Sequence, residues 1–230
     1  MSAADPPAGA SALVLDLDGL LIDTEEACFA TAGAVLERYG VPRGRLTREE
    51  YTSYVGRPVP ESYGRLRDRY GLSASIEELV AERTAHILRW YREPVLLPGA
   101  AELIYGAHAV GLPLAIASGA PAVLVDAAVA ALPMGRLFAA AVSADHPGVR
   151  AAKPAPDAYL VACRLLGVDP AYATAIEDSP SGATAALAAG MATIVVPNDW
   201  TRAASFPRGV VVRDSLAAVL RDLRRDHRAA

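Results

Sequence analysis

At 230 residues, with 53% hydrophobic and 21% charged side chains, the chain is longer than one typical domain and shorter than two. That length fits one domain carrying a sizeable insertion. The apolar content and a formal net charge of −4 exclude disorder as the main state and leave no basic face for nucleic acid.

The first residues, MSAADPPAGAS, have no basic n-region and no apolar h-region, so no signal peptide is expected and the Ala/Pro/Gly-rich start is expected to be frayed. Cys28 and Cys163 lie far apart without a C-x-x-C or a Cys/His cluster, which suits reduced thiols in a cytoplasmic protein. Residues 12–17 (ALVLDL) form a short apolar run ending in acidic residues and predict a buried strand. From 26 to 93 no strand is predicted, and helical stretches fall near 25–39, 47–55, 60–70 and 76–92. In the last of these Ile76, Leu79, Val80, Ile87, Leu88 and Tyr91 form one apolar stripe. Ser75 and Glu78 supply a capping box at its start, and Pro94 closes it.

After Pro98-Gly99 a helix is predicted at 100–110, then a strand at 113–118 and a helix from Pro121 to about Leu132. Strands near 139–143, 173–177, 193–196 and 210–212 follow, with helices at 156–166, 180–189 and 215–226. Strands alternating with helices imply an α/β fold with a doubly wound parallel sheet. The all-helical block is therefore an insertion: a core of residues 1–25 and 98–230, interrupted by a helical unit at 26–97. Two windows without Asp, Glu, Lys or Arg, 103–125 and 179–198, reach the length of a membrane span. Pro113, Ser118-Gly119 and Pro121 break the first, and Pro180, Gly182, Gly190 and Pro197 the second, so both read as buried βα elements and no membrane association is expected.

Ligand sites in open parallel sheets lie beyond the carboxyl ends of the strands. Polar residues just after the predicted strands are Asp16 and Asp18, Ser118-Gly119, and Glu177-Asp178, with Lys153 in a loop. Residues two apart on an extended chain point the same way, so Asp16 and Asp18 face one site, a pairing that implies a cation or a raised pKa. An acidic turn after a strand is the alternative reading. Ser179 and Pro180 can cap and start a helix, which accounts for Ser179 and Asp178 but not for Glu177. With Asp16 these carboxylates make an oxygen-rich site suited to Mg²⁺. Ser118 and Gly119 before Pro121 offer a hydroxyl and free backbone N–H groups at a helix start, a seat for phosphate or an ordinary capped turn.

Lys153 stands apart by composition. Of 22 Lys and Arg residues it is the single lysine. A compact ammonium fits between a carboxylate and a phosphoryl group where the planar arginine fork fits poorly.

The segments DLDGLLIDTE (16–25), PGAAELI (98–104), ASG (117–119), KPAPDAYL (153–160) and IEDSPSGATAALAAG (176–190) stand in the order and spacing of a known family. Across nearly the whole chain the sequence resembles the haloacid dehalogenase superfamily, in the branch with a helical cap that includes sugar-phosphate phosphatases and β-phosphoglucomutase. The resemblance implies a Rossmann-like core and a Mg²⁺-dependent phosphomonoester hydrolase acting on a small phosphorylated metabolite, a sugar or polyol phosphate. Asp16 would be the nucleophile and Asp18 the general acid/base. Ser118, Gly119 and Lys153 would bind the phosphoryl group, and Asp16, the Asp18 carbonyl, Glu177 and Asp178 would hold the metal. Cap residues Arg57 and Glu61 would read a sugar hydroxyl or a second anion, with a solvated salt pair as the alternative. A monomer is expected.

Departures narrow the branch. Asp18 argues against dehalogenation, and the absence of lysine from 26–97 excludes a cap-lysine Schiff base. The mutase branch carries His twelve residues after the nucleophile; Cys28 stands there, and no cap lysine is present. A β-phosphoglucomutase-like phosphosugar mutase, with cap arginines such as Arg57 holding the extra phosphate, is the alternative function. A non-catalytic relative would be expected to lose Asp16 or Asp18. A serine hydrolase lacks its G-x-S-x-G elbow, and an oxidoreductase lacks G-x-G-x-x-G.

Overall fold

A computed structural model describes residues 10–229, and the N-terminal segment expected to fray lies almost wholly outside them. The elements in chain order are β1 (Ala12–Leu15), α1 (Glu25–Arg38), α2 (Arg48–Thr52), α3 (Val59–Tyr70), α4 (Ile76–Arg92) and α5 (Ala100–Ala109). Then follow β2 (Leu114–Ala117), α6 (Ala122–Ala131), β3 (Phe138–Val142), α7 (Asp157–Leu166), β4 (Ala173–Glu177), α8 (Pro180–Ala188), β5 (Ala192–Val195), β6 (Val211–Val212) and α9 (Leu216–Ala229). The strands form one parallel sheet in the order β3-β2-β1-β4-β5-β6. The order reverses between β1 and β4, so the crevice for a ligand opens where these two central strands end.

Both faces of the sheet are covered, and its central strands are uniformly buried. Leu13 and Leu15 point into a cluster with Leu103, Ile104, Leu124 and Val219 from α5, α6 and α9. Ala12, Val14, Ala115 and Ala175 face the other side, where Tyr159, Ala162 and Cys163 of α7 and Ala185 of α8 pack. Small side chains on that face let the helices approach closely.

The first strand is shorter than the apolar run suggests. The amides of Leu21 and Ile22 both donate to the Leu17 carbonyl, at 3.0 and 3.1 Å, and fold the chain into a tight turn. Gly19 takes φ +78° in this turn, a region open to glycine. A Cβ there would come within 2.7 Å of the side chains of Asn198 and Asp178.

Helices α1 to α4 stand outside the sheet and bury small clusters of their own, around Leu36 and Leu66 and around Val35, Tyr63 and Leu79. The chain leaves and re-enters the sheet side by side: Asp23 N donates to Val95 O at 2.8 Å and Leu97 N to Leu21 O at 3.0 Å. Ile87 and Tyr91 near the end of α4 are part of the main sheet cluster. Trp200, from the loop after β5, packs against both Phe29 and Tyr51, which also touch each other, with the Arg48 guanidinium 3.9 Å above its ring. Among the described residues no helix is long and apolar enough to cross a membrane.

Candidate active site

Asp16 follows β1 directly and Glu177 ends β4, and the two strands pair in register through Leu15 and Ile176. Pairing of adjacent strands therefore places two carboxylates side by side. Lys153, in the loop before α7, bridges them: its Nζ lies 2.5 Å from Asp16 Oδ1 and 2.6 Å from Glu177 Oε1. Glu177 is wholly buried and every oxygen is engaged. Oε1 also accepts from Tyr159 OH at 2.7 Å, and Oε2 accepts from the Asp178 and Ser179 amides and the Ser179 hydroxyl at 3.0 to 3.1 Å.

The ionisation balance follows from this packing. Burial works against the Glu177 carboxylate, but Lys153, Tyr159 and the Ser179 amide hold its pKa below the ordinary glutamate value. Burial likewise disfavours the Lys153 ammonium, and the adjoining Asp16 and Glu177 charges overcome it and raise its pKa. Asp16 and Asp178 are both pushed well up, mainly by burial and further by neighbouring carboxylates. One ammonium does not neutralise three buried carboxylates.

Asp18 is held by hydroxyl groups. Its Oδ1 accepts from Thr24 Oγ1 at 3.0 Å and from the Tyr91 hydroxyl, and its Oδ2 accepts from Ser118 Oγ at 3.1 Å. The Ser118 oxygen accepts in turn from the Ala120 amide at 3.0 Å. Asp178 is fixed by Asn198, whose Nδ2 donates to Asp178 Oδ2 at 2.8 Å and to the Gly19 carbonyl at 2.9 Å.

These groups open on a cleft of about 400 Å³ between the sheet edge and the helical insert, lined by Asp16, Asp18, Gly119, Lys153 and Asp178 below and by Arg57 from above. Of the two insert residues singled out in the sequence, only Arg57 lines the cleft. Glu61 is not part of the cleft lining and pairs with Arg57 Nη1 at 2.9 Å and Arg65 Nη2 at 3.1 Å, four residues to either side. Ser118 is buried beneath the cleft and its hydroxyl is spent on Asp18, whereas Gly119 reaches the surface of the cleft.

Residues 13–196 match the haloacid dehalogenase-like hydrolase family. The chain belongs to that family. Protein CbbY of Rhodobacter capsulatus is 34% identical over 204 residues, covering 85% of this chain and 88% of its own length. Mitochondrial (DL)-glycerol-3-phosphatase 1 of Arabidopsis thaliana is 32% identical over 192 residues, 81% of this chain and 63% of that protein. Crystal structures of CbbY from Rhodobacter sphaeroides, one with phosphate and one of a variant with xylulose-(1,5)bisphosphate, are 30% identical with TM-scores of 0.81 and 0.80. They cover 91% and 90% of this chain and 96% and 95% of theirs. The protein is thus a haloacid dehalogenase-type phosphatase with the parallel-sheet fold of that family, acting on small phosphate esters.

Three site residues of this hydrolase escape sequence reading. Tyr91 reads as the last apolar member of the α4 stripe, yet its hydroxyl meets Asp18. Tyr159 is given no role by the sequence, and its hydroxyl supports Glu177. Asn198 is the first polar side chain after β5, so the search beyond strand ends would have found it had it been extended to that strand.

Two expectations arise from this geometry. Gly182 sits so close to Glu177 that an added Cβ would fall 1.6 Å from Oε1. Gly182→Ala must displace Glu177 from Lys153, and chemical denaturation should show a loss of about 1–3 kcal/mol or more together with a fall in kcat. Glu25, at the start of α1, has its carboxyl pushed up to about 7, first by burial and then by Asp18 and Asp23, with Arg83 opposing. A carboxyl raised on folding binds more protons in the native state between its unfolded pKa near 4.5 and about 7. Its contribution is therefore full at acid pH and falls as pH rises through that window. In Glu25→Gln, stability measured by denaturant titration should lose that downward component.

Proposed function

We propose that this enzyme hydrolyses sugar or polyol phosphates through a phosphoryl group carried on Asp16. The observation that carries the reading is the Lys153 bridge between Asp16 and Glu177 at the mouth of the β1/β4 crevice. It fixes a nucleophilic carboxylate and a phosphate-binding ammonium against each other.

The donor set fits a hard divalent cation. Oxygens of Asp16, Glu177 and Asp178 lie within 4.8 Å of one another. Because both Glu177 oxygens are already engaged, Asp16 and Asp178 are the carboxylates free to hold Mg²⁺, joined by the Asp18 carbonyl, while Glu177 positions Lys153. When bound, the cation would neutralise charge on the phosphoryl oxygens.

The chain's own residues account for the rest. The Asp16 carboxylate attacks phosphorus, the ester P–O bond breaks, and Asp18 gives its proton to the leaving alkoxide. Water then attacks the aspartyl-phosphate, its proton passes to Asp18, and the Asp16–phosphorus bond breaks. Thr24, Tyr91 and Ser118 keep Asp18 aimed during both transfers. Residues 26–97 act as a cap that shields the site from water over a core of 1–25 and 98–230. The enzyme works as a cytoplasmic monomer.

A specific observation weighs against the mutase. Cys28 stands where the mutase branch carries histidine, and its thiol, pushed up to about 12 chiefly by burial, lacks the two ring nitrogens through which an imidazole passes a proton on. Phosphate release from a panel of sugar and polyol phosphates with Mg²⁺ tests the reading, and excess EDTA should abolish it. Conversion of β-glucose 1-phosphate to glucose 6-phosphate, primed by catalytic bisphosphate and without phosphate release, would show the mutase instead.

A further inference from the structure

The turn after β5 ties the floor of the cleft to the helical insert through one side chain. Asn198 opens that turn, and both ends of its side-chain amide are used. Nδ2 donates to Asp178 Oδ2 at 2.8 Å and to the Gly19 carbonyl at 2.9 Å. Oδ1 accepts from the Trp200 amide at 2.8 Å and from the Thr201 amide at 3.1 Å. The Thr201 hydroxyl, itself buried, accepts from the Asn198 backbone amide at 3.1 Å. These partners set the orientation of the side-chain amide. Reversed, its NH₂ group would face two backbone donors, and its oxygen a carboxylate and a carbonyl.

The same turn carries Trp200, which is 9% exposed. Its ring stands edge-on to Tyr51 with centroids 5.7 Å apart, and lies 5.9 Å from the ring of Phe29. The Arg48 guanidinium over the indole is paired in turn with Glu26 at 2.5 Å. Glu26, Phe29, Arg48 and Tyr51 all belong to the insert, and Tyr51 also lines the cleft. Aromatic pairs and a guanidinium stacked on an indole are contacts of defined geometry, so they hold only while insert and sheet keep this spacing. Asn198 therefore stands between two groups with different tasks. On one side are Asp178 and Gly19, the residue after Asp18, at the oxygens assigned above to a divalent cation. On the other is the indole that packs on Tyr51.

We propose that Asn198 and Trp200 are positioning residues that couple cation binding at Asp178 to the seating of the insert over the cleft. The proposal rests on the reading of Asp178 and the Asp18 carbonyl as cation donors. Fixing Asp178 fixes Asn198 and, through it, the indole. By linkage, docking of the indole strengthens cation binding by the same factor.

Calorimetric titration of the substrate-free full chain with Mg²⁺ tests it. Trp200→Leu keeps an apolar side chain and the backbone bond to Asn198 Oδ1, loses the ring contacts, and touches none of the cation donors. It should raise the Mg²⁺ Kd by about 5-fold or more, the lower end of ordinary coupling between sites. Arg48→Met, at a side chain 55% exposed, removes the guanidinium from the ring without disturbing the core and should shift Kd in the same direction. Loss of a positive charge by itself would tighten cation binding instead. Asn198→Ala removes both arms and should raise Kd by about 10- to 100-fold. The second readout is optical. The chain has two tryptophans, Trp90 and Trp200, so emission from Trp90→Phe reports on Trp200 alone. It should change on addition of Mg²⁺ with the calorimetric midpoint, and should not change when Asn198→Ala is added and the site is saturated. A Kd unchanged or lowered in both Trp200→Leu and Arg48→Met, or Trp200 emission indifferent to Mg²⁺ in Trp90→Phe, would overturn the coupling while leaving the cation site standing. Absence of Mg²⁺ binding to the parent enzyme would overturn the coupling and the cation site together.

Discussion

Replacement of Asp16 by Asn is expected to lower kcat by roughly 10⁴-fold or more, the scale of loss seen when an attacking group is removed from a covalent mechanism. The substitution keeps shape and removes the nucleophilic charge. Lys153 keeps its 2.6 Å contact with Glu177, so the local packing survives. Burial and the charges of Glu177 and Asp18 disfavour ionised Asp16 and outweigh the attraction of Lys153, so loss of the Asp16 charge is on balance relieving. The thermal midpoint without metal should therefore be no lower than that of the parent enzyme. Steady-state kinetics with calorimetry on the same preparation check both halves, and an active Asn variant would remove Asp16 from the chemistry.

The second large effect is expected at Lys153, where stability and activity are tied together. Lys153→Met leaves Asp16 and Glu177 buried without a counter-charge. Breaking a buried pair from one side costs about 3–5 kcal/mol, and denaturant unfolding should show a loss of that order with activity abolished. Lys153→Arg separates the two roles. The charge is retained, but a planar fork cannot place one donor atom 2.5 Å from Asp16 and 2.6 Å from Glu177 at once. Most of the stability should return, while kcat stays down by about 10²–10³-fold, as when one electrostatic donor to a transition state is lost. Recovery of full activity in the Arg variant would show that only charge matters at this position.

How much was legible in the sequence depended on the range of the interaction. The α/β alternation, the insertion and the strand-end carboxylates followed from local periodicity and from the rule that sites form beyond parallel strands. Lys153 was visible for a compositional reason, as the single lysine among 22 cationic residues. What stayed hidden was the choice of partners across long stretches of chain. Glu177 read as a carboxylate of the metal cluster with Asp16 and Asp178, and its bonds to Lys153 and Tyr159 were not visible. Glu61 read either as facing substrate or as half of a solvated salt pair with Arg57, and it sits one helical turn from both Arg57 and Arg65 and pairs with them. Arg83 fills the gap in the apolar stripe between Leu79 and Ile87. A charged residue in such a gap is usually read as solvent-facing, and only packing of the insert on the sheet shows that it is buried.

The most direct measurement is mass analysis of the enzyme after rapid acid quench during turnover of a hydrolysed phosphomonoester with Mg²⁺. The mechanism predicts one phosphoryl group on the peptide that contains Asp16, appearing before free phosphate and absent in Asp16→Asn. Steady release of phosphate with no phosphoryl group on that peptide at any quench time, or with the group on another residue, would contradict it.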